Sequence, residues 1–274
     1  MKVWVNGELH DPRDARVAIF DHGLTVGDGV FEAVKVVGGA PFALSRHLQR
    51  LRRSALGLGL GEPGLDAIRS GVAQVIEAAG SPALARLRIT VTGGFAPLGS
   101  ARGAGSRTCI VALGELQPAE PVGDVVTVPW VRNERGALTG LKTTSYAENV
   151  RAFAYAHERG AAEAIFANTA GNLCEGAGTN VFVVTAGRLL TPPLTAGCLA
   201  GVTRALVLEW FGAAERDVPL GALEAADEAF LTSTTRDVQA IRSVDGKVLG
   251  AAPGPVTSKA ARVFAHRAAE NPDP

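Results

Sequence analysis

Apolar and polar residues alternate in some segments of the chain and recur with a helical period in others. Segments 1–5 and 29–37 alternate and have strand composition, and Gly38-Gly39 makes a tight turn into a third short strand. Leucines then follow at helical spacing. We expect Ser45 to cap the start of this helix, which ends in the glycine-rich segment 56–64. The pattern therefore predicts a chain that mixes strands and helices from its first third onward.

A proline-rich polar segment, GELQPAEPVGD at residues 114–124, separates two largely apolar parts of the chain. Such segments are typical of domain boundaries, so we divide the chain into a domain 1–116, a linker 117–123 and a domain 124–274. Before the boundary we predict a helix at 65–79 and strands at 86–94 and 107–113. Beyond it we predict strands at 124–130, 162–168, 180–185 and 228–232, helices at 146–159, 203–210 and 257–269, and a frayed tail at 271–274.

Composition and charge exclude several classes of function. The 274 residues are 47% hydrophobic and 20% charged, with 27 basic and 27 acidic side chains. A net charge of zero gives no field that would attract nucleic acid or an anionic membrane, and no apolar run approaches the ~20 residues of a membrane span. The start MKVWVNGELH reads as a hairpin rather than a signal peptide. Three cysteines without CxxC spacing predict reduced thiols, a cytoplasmic protein and no metal site.

Two separate segments offer the surroundings that an anion prefers. Gly201, Val202 and Thr203 stand at the start of a predicted helix, where free backbone N–H groups and the helix dipole favour a phosphate. The segment 232–235, Thr-Ser-Thr-Thr, follows a predicted strand and can donate several hydrogen bonds. Thr203 could equally serve only as a helix cap, and the threonine-rich segment could be an ordinary turn. The residues alone leave both alternatives open.

Five more charged residues, in three segments, are candidates for chemistry. Arg46, Arg50 and Arg53 share one helix face, which suits either a phosphate or simple solvation. Glu175 stands at a strand end beside the glycine turn Gly-Ala-Gly, where a carboxylate can meet a cationic ligand or remain an exposed turn residue. Lys142 lies among hydroxyl residues in GLKTTSYAENV, and its position alone does not distinguish a nucleophile from a surface charge.

Six motifs in order resemble those of the fold-type IV pyridoxal-phosphate enzymes, a family of class IV aminotransferases and lyases. They are HGLTVGDGVFEAVKV, SRHLQRL, GLKTTSYAENV, ANTAGNLCEGAGTNVFVV, LLTPPLTAGCLAGVTR and EAFLTSTTRDV, and together they span nearly the whole chain. The resemblance implies an α+β fold with a smaller α/β N-terminal domain and a larger β-rich, pseudobarrel C-terminal domain that carries the cofactor lysine. It also implies pyridoxal 5'-phosphate (PLP) as cofactor and a homodimer.

The resemblance also assigns roles to individual residues. Lys142 would hold PLP as an internal aldimine and shuttle protons, and Glu175 would pair with the pyridine nitrogen. Arg50, from the family's His-x-x-Arg-Leu pattern, would bind the phosphate bidentately. Tyr146 matches a family tyrosine near the phenolic oxygen of the cofactor. The rest of the phosphate cradle would consist of Val202, Thr203, Ser233 and Thr234.

The substrate side decides the subfamily. Phe31, Ala33 and Lys35 alternate onto one strand face and resemble the pocket wall of D-amino-acid aminotransferases. Leu98-Gly99-Ser100 stands where those enzymes carry an Arg-x-His carboxylate trap, so the usual trap is missing. Arg88 on the preceding strand is a candidate substitute, although a plain surface or interdomain arginine is an equal alternative.

The resemblance thus favours a transaminase that uses D-amino acids, with (R)-primary amines as a further donor class and a 2-oxo acid as acceptor. Aminodeoxychorismate lyase, which forms 4-aminobenzoate and pyruvate, is the alternative, since Glu148 and Val150 match it while Ser145-Tyr146 replace its Asn-Arg pair. Branched-chain activity ranks third because its tyrosine-rich pocket pattern is missing. A non-catalytic scaffold on the same fold would need neither Lys142 nor Glu175.

Overall fold

The computed structural model describes residues 2–103 and 105–274. The chain forms two compact units, and both are discontinuous in sequence. The first unit comprises Met1–Pro118, Leu141–Tyr146 and Pro272–Pro274, and the second comprises Ala119–Gly140 and Ala147–Asn271. The short segment Leu141–Tyr146, which includes Lys142, therefore packs with the first unit, whereas the division at residues 117–123 places it by chain order with the second.

The described residues of the first unit form a six-stranded antiparallel sheet and three helices. The strands are β1 Val3–Val5, β2 Glu8–His10, β3 Gly29–Val37, β4 Ala40–Pro41, β5 Leu84–Thr92 and β6 Thr108–Glu115, in the spatial order β2-β1-β6-β5-β3-β4. The helices are α1 His22–Thr25, α2 Leu44–Gly57 and α3 Leu65–Ala78. The predicted strands and both longer helices of this part are present, and the short helix α1 was not expected.

The core of the first unit lies on one face of this sheet. Val30, Val34 and Val36 of β3 are fully buried in one apolar cluster with Leu48 of α2 and Val72 of α3. Because side chains alternate along a strand, Phe31, Ala33 and Lys35 point to the opposite face, as the sequence pattern predicts. This opposite face is the one that Lys142 approaches.

Helix α2 begins differently from our expectation. It starts at Leu44, and Ala43 precedes it in a left-handed conformation (φ 52°) that supplies no side-chain cap, so the prediction of Ser45 as the capping residue is wrong. Asp273 of the C-terminal segment instead accepts hydrogen bonds from the Ser45 backbone N–H (2.8 Å) and the Ser45 hydroxyl (2.6 Å). The first N–H groups of a helix need such acceptors, so the segment 272–274 is ordered where fraying was expected.

The second unit contains a nine-stranded mixed sheet and three helices. The strands are β7 Val122–Arg132, β8 Glu163–Asn168, β9 Leu173–Gly176, β10 Asn180–Thr185, β11 Arg188–Thr191, β12 Ala214–Glu215, β13 Glu228–Ser233, β14 Asp237–Val244 and β15 Lys247–Val248. Their order is β12-β11-β10-β13-β14-β7-β8-β9, with β15 paired to β14. The helices are α4 Ala147–His157, α5 Val202–Trp210 and α6 Pro255–Glu270.

Every strand and helix predicted for this part is present, within a few residues at each end. The central strand β14 was missed, because its sequence DVQAIRSV begins in a left-handed residue (Asp237, φ 54°) and lacks regular alternation. Across the described ranges, the helices are too short and too polar to cross a bilayer. Two mixed units of strands and helices agree with the predicted α+β class.

Candidate active site

Lys142 is held against strand β3 by backbone contacts. The carbonyl of Lys142 accepts a hydrogen bond from the Phe31 N–H (3.0 Å), and the Lys142 N–H donates to the Ser54 hydroxyl on α2 (3.1 Å). Thr143 forms an isolated bridge with Val30. These contacts fix the start of the lysine side chain, whose Nζ lies 4.5 Å from the centre of the Phe31 ring.

Two further side chains of the first unit contact the Phe31 ring. The Tyr146 ring meets it edge-on with 5.2 Å between centres, and the Arg88 guanidinium carbon lies 3.9 Å from its centre. Arg88 also donates from Nε to the Thr90 hydroxyl (3.2 Å). Lys142, Tyr146 and Arg88 therefore surround one aromatic ring, on the sheet face that the alternation of β3 leaves outside the core.

The remaining candidates on this face lie further along the strand. Ala33 is the cross-strand partner of Arg88, and Lys35 is the partner of Arg86. The Lys35 Nζ lies 5.8 Å from the Phe42 ring centre, toward the edge strand β4. Ala33 thus lies beside the Phe31 cluster, and Lys35 lies one strand repeat farther from it.

Arg50 is buried in a network with Glu32 and His47, which differs from the solvated arginine face that the sequence left open. Its guanidinium donates from Nε and Nη2 to the two carboxylate oxygens of Glu32, each at 2.7 Å. His47 Nδ1 lies 2.7 Å from the same carboxylate. Burial raises the pKa of Glu32, but the charges and hydrogen bonds of Arg50 and His47 outweigh it and lower this pKa to about 2. The contacts with Glu32 therefore hold the side chain of Arg50, which belongs to α2, against β3, the strand that also carries Phe31.

Glu175 lies near the end of strand β9 in the second unit. Its Oε2 accepts a hydrogen bond from the Leu199 N–H (2.9 Å), and its Oε1 lies 3.4 Å from Nε of Arg132. The Arg132 guanidinium lies over the Phe166 ring at 4.0 Å and also pairs with Glu148. Arg132 is not among the residues predicted from the sequence, although a charged residue that ends the apolar strand VTVPWVR was an available signal.

The start of helix α5 and the end of strand β13 meet through Asn180. The Asn180 amide donates to the Leu199 carbonyl (2.9 Å), and Asn180 is the cross-strand partner of Thr232. A Cβ at Gly201 would lie 2.0 Å from Oδ1 of Asn180, so a larger residue there would displace the Asn180 amide. The predicted anion-binding segments of the second unit therefore converge.

The donors in this region fit a phosphate group. Helix α5 has no side-chain cap, which leaves the N–H groups of Val202 and Thr203 directed out of its first turn. The hydroxyls of Thr232 and Ser233 are buried without a hydrogen-bond partner among the described residues. Buried donors that lack partners are costly, and an oxygen-rich anion would satisfy them. Thr234 follows in the same turn.

Comparison with known proteins assigns the family. A model of the family described as "Amino-transferase class IV" matches residues 29–244, well over half of the chain. The chain belongs to the class IV aminotransferases. This confirms the predicted family and fold class, and PLP, the cofactor of this family, is the cofactor of this class IV aminotransferase.

Individual relatives of this class IV aminotransferase differ in substrate. A D-alanine aminotransferase from Bacillus licheniformis is 32% identical over 266 residues, which cover 94% of this chain and 93% of the relative. A branched-chain aminotransferase from Thermoproteus uzoniensis, solved with norvaline, superposes with a TM-score of 0.91 at 30% identity, covering 97% and 94% of the two chains. A Mycobacterium tuberculosis protein described as a hypothetical aminotransferase, solved in a PLP-bound form, is 25% identical, with a TM-score of 0.86 and coverages of 97% and 98%.

Metal chemistry has no candidate ligands in the part of the chain that the structure describes. No group of three His, Cys, Asp or Glu residues in this part is arranged to hold a metal ion. Cys109, Cys174 and Cys198 are free thiols, and burial raises the pKa of each. A thiol with a raised pKa is a poor nucleophile, so Lys142 is a stronger candidate for covalent chemistry than any of the three cysteines.

Proposed function

We propose that this class IV aminotransferase is a PLP-dependent transaminase that takes the amino group of a D-amino acid, with (R)-primary amines as a further donor class. The acceptor is a 2-oxo acid such as 2-oxoglutarate or pyruvate. The observation that carries the proposal is that the Arg88 guanidinium and the Lys142 amine both lie against one ring, that of Phe31, at 3.9 Å and 4.5 Å from its centre. An amino acid carries its carboxylate and its amino group on the same carbon, so a guanidinium and an amine gathered around one side chain suit both groups.

Arg88 is proposed to bind the substrate α-carboxylate. Within the described residues, no carboxylate forms an ion pair with Arg88, whose guanidinium is held only by Phe31 and Thr90. A planar guanidinium already oriented by an aromatic ring is suited to bidentate binding of a carboxylate. Arg88 would thus take over the role of the Arg-x-His pair, whose positions are occupied by Leu98 and Ser100 in this chain.

Lys142 is proposed to hold the cofactor covalently through Nζ and to move the proton of the substrate α-carbon. Its backbone is anchored on both sides, so the side chain alone has to swing between these two tasks. When bound, PLP supplies an electron sink for the electrons left behind by that proton. Tyr146, packed on Phe31, would limit how far the lysine amine can move, and it is proposed to face the phenolic oxygen of the cofactor.

The other cofactor contacts are proposed residue by residue. Glu175, oriented by Leu199 and Arg132, would accept a hydrogen bond from the protonated pyridine nitrogen and so keep it protonated. Arg50, whose orientation is fixed by Glu32, would contact the phosphate. The remaining phosphate donors would be the N–H groups at the start of α5 and the hydroxyls of the threonine-rich turn. They are Val202, Thr203, Ser233 and Thr234.

The preference for D-amino acids rests on the substrate face of β3 and on one relative. Phe31, Ala33 and Lys35 share one face, as in the D-amino-acid pattern, and a relative 32% identical to the chain is a D-alanine aminotransferase. The branched-chain aminotransferase solved with norvaline supports the alternative that branched-chain amino acids are the donors. The proposed choice therefore needs a direct comparison of donors.

The purified protein loaded with PLP would be assayed with three substrates in parallel. The first is D-alanine with 2-oxoglutarate, the second is L-leucine with 2-oxoglutarate, and the third is aminodeoxychorismate alone. We expect pyruvate from D-alanine at a rate at least tenfold above the keto acid from L-leucine. Turnover of L-leucine alone, or release of 4-aminobenzoate without amino transfer, would contradict the proposal.

We further propose that the protein is a homodimer. Seven large apolar side chains in the segments 17–26 and 95–98 of the first unit are exposed in the single chain, and the Phe20 and Phe95 rings join the two segments with 5.7 Å between centres. The seven are Val17, Ile19, Phe20, Leu24, Val26, Phe95 and Leu98, of which Ile19 is 72% and Leu98 74% exposed. Exposed apolar side chains that cluster in sequence in this way are typical of a contact between subunits.

The dimer proposal is tested by the mass of variants in solution. Ile19→Asp combined with Leu98→Asp should give a monomer in analytical ultracentrifugation. Val248→Asp, which changes an equally exposed apolar residue of the second unit, should leave the mass unchanged. A wild-type protein that sediments as a monomer at micromolar concentration would contradict the homodimer.

A further inference from the structure

We propose that Glu163 and Arg236 form a buried positioning pair that couples the two loops carrying the cofactor contacts of the second unit. One loop is the glycine turn Gly176–Gly178, which follows Glu175, and the other is the threonine-rich turn 232–235, which Arg236 follows directly. This inference rests on the proposed function, because it assumes that Glu175 and the threonine-rich turn contact opposite ends of PLP. Neither residue is proposed to touch substrate or cofactor.

Glu163 supports the glycine turn from below. It is the first residue of β8 and is fully buried, and its Oε1 accepts hydrogen bonds from the N–H groups of Ala164 (3.0 Å) and Ala177 (3.1 Å). A Cβ at Gly176 would lie 3.1 Å from Cγ of Glu163, and one at Gly178 would lie 3.8 Å from Oε2. The carboxylate therefore lies directly against the turn, and a longer or shorter side chain at position 163 would change the position of the turn relative to β8.

Arg236 reaches the same carboxylate from the other loop. Its Nη2 lies 3.4 Å from Oε2 of Glu163 and donates to the Ala162 carbonyl (3.0 Å), while Nη1 donates to Oε1 of Gln239 (3.0 Å). The guanidinium thus joins the residues that precede β8 to the turn between β13 and β14. If the threonine-rich turn moves, Arg236 moves with it and shifts the Glu163 carboxylate that contacts the glycine turn.

The energetics favour a positioning role over a purely structural one. Burial raises the pKa of Glu163, and the Arg236 charge and the neighbouring N–H groups only partly oppose this. Its Oε2 meets the Arg236 guanidinium at 3.4 Å without a hydrogen bond of good geometry, so the contact between the two loops depends on charge attraction. A buried ion pair is often no more stabilising than apolar side chains of equal volume, which makes orientation of the two loops the better reason for its presence.

The coupling can be measured with two cofactor forms that differ only in the phosphate. Apoprotein would be titrated with PLP and with pyridoxal by equilibrium dialysis, and the ratio of the two dissociation constants reports on the phosphate end. Glu163→Gln changes the side chain that supports the glycine turn. We nevertheless expect it to raise the dissociation constant of PLP at least threefold more than that of pyridoxal. Arg236→Met should do the same, and the double variant should be no worse than the poorer single one. The phosphorus NMR signal of bound PLP should shift in both variants.

Several controls make the outcome decisive. Arg236→Lys keeps the charge and should bring the ratio of the two dissociation constants part of the way back to the wild-type value. If Glu163→Gln does not fold, the comparison of Arg236→Lys with Arg236→Met tests the coupling in the same assay. Glu224→Gln, an exposed change in the same unit, should leave both constants unchanged. Equal losses for PLP and pyridoxal, no loss, or additive losses in the double variant would overturn the coupling. Thr234→Ala tests the proposed function separately, because an unchanged ratio in that variant would remove the phosphate from the threonine-rich turn.

Discussion

Nε of Arg132 lies 3.4 Å from Oε1 of Glu175, and the remaining oxygen of that carboxylate accepts the Leu199 N–H. Arg132 is itself fixed by the Phe166 ring and by Glu148. The carboxylate that is proposed to meet the pyridine nitrogen is therefore oriented from both sides. An ion pair in a half-buried site has more effect on orientation than one at the surface, because water screens it less.

Arg132→Met should lower kcat while cofactor affinity changes much less. Hydrogen bonds and ion pairs of charged groups contribute about 1.5–3 kcal/mol, which corresponds to about 10- to 100-fold in rate. Steady-state kinetics with a saturating donor and a PLP titration measure the two effects separately. Arg151→Met, which removes an exposed arginine that also lies over an aromatic ring, is the matched control and should leave kcat within twofold. A normal kcat in Arg132→Met would contradict the role given to the pair.

Arg88→Met should raise KM for the amino-acid donor about 10- to 100-fold, because a charge-assisted bidentate contact is lost. An (R)-primary amine has no carboxylate, so its KM should change less than twofold. Arg86→Met removes an exposed arginine two residues away on the same strand face and serves as the control. Equal effects on the amino acid and on the amine would show that Arg88 shapes the pocket without binding a carboxylate.

Glu32 should make stability depend on pH in the acid range. Its pKa is lowered from 4.5 to about 2, so in acid the unfolded state binds the extra proton, and the stabilisation is lost as pH falls from about 4.5 toward 2. Relative to Glu32→Gln, the wild-type advantage in free energy of unfolding should shrink by about 1.4 kcal/mol between pH 6.5 and pH 3.5. Urea titrations at the two pH values measure this. An advantage that stays constant would contradict the ionised Glu32–Arg50 pair.

Asp273→Ala should destabilise the protein by about 1 kcal/mol, the usual effect of removing a side chain that caps a helix. Asp273 accepts both donors of Ser45 at the start of α2, the helix that carries His47 and Arg50. Asp273→Asn keeps an acceptor oxygen and should recover most of the loss. Asp14→Ala, at an exposed turn, is the control. Equal urea midpoints for wild type and Asp273→Ala would show that the C-terminal segment contributes nothing to α2.

The sequence allowed much of the fold to be predicted because most elements carry a clear local period. The helix over Leu65–Ala78 and the strand over Asn180–Thr185 were recognised in this way. Strand β14 was not, since its residues have no regular alternation and are held by strands on both sides. Ser45 was misassigned as a cap because the true acceptor, Asp273, lies 228 residues away in the sequence.

In the candidate site, too, local sequence motifs revealed some residues and tertiary packing determined the rest. The family motifs led to Lys142, Glu175 and Arg50 as residues, but their partners come from tertiary packing. Arg132 meets Glu175 from another strand, and Glu32 meets Arg50 across a strand and a helix. Glu32 offered one local signal, a carboxylate within the apolar run VFEAV, which requires a cation when buried.

The central claim is that Lys142 is the residue to which the cofactor is attached. Protein loaded with PLP would be reduced with borohydride, digested, and mapped by mass spectrometry, with Lys142→Ala treated in parallel. We predict one phosphopyridoxyl group on the peptide containing Lys142, and none in the variant even though it still binds PLP. A label on another lysine such as Lys35, or a labelled Lys142→Ala protein, would contradict the account.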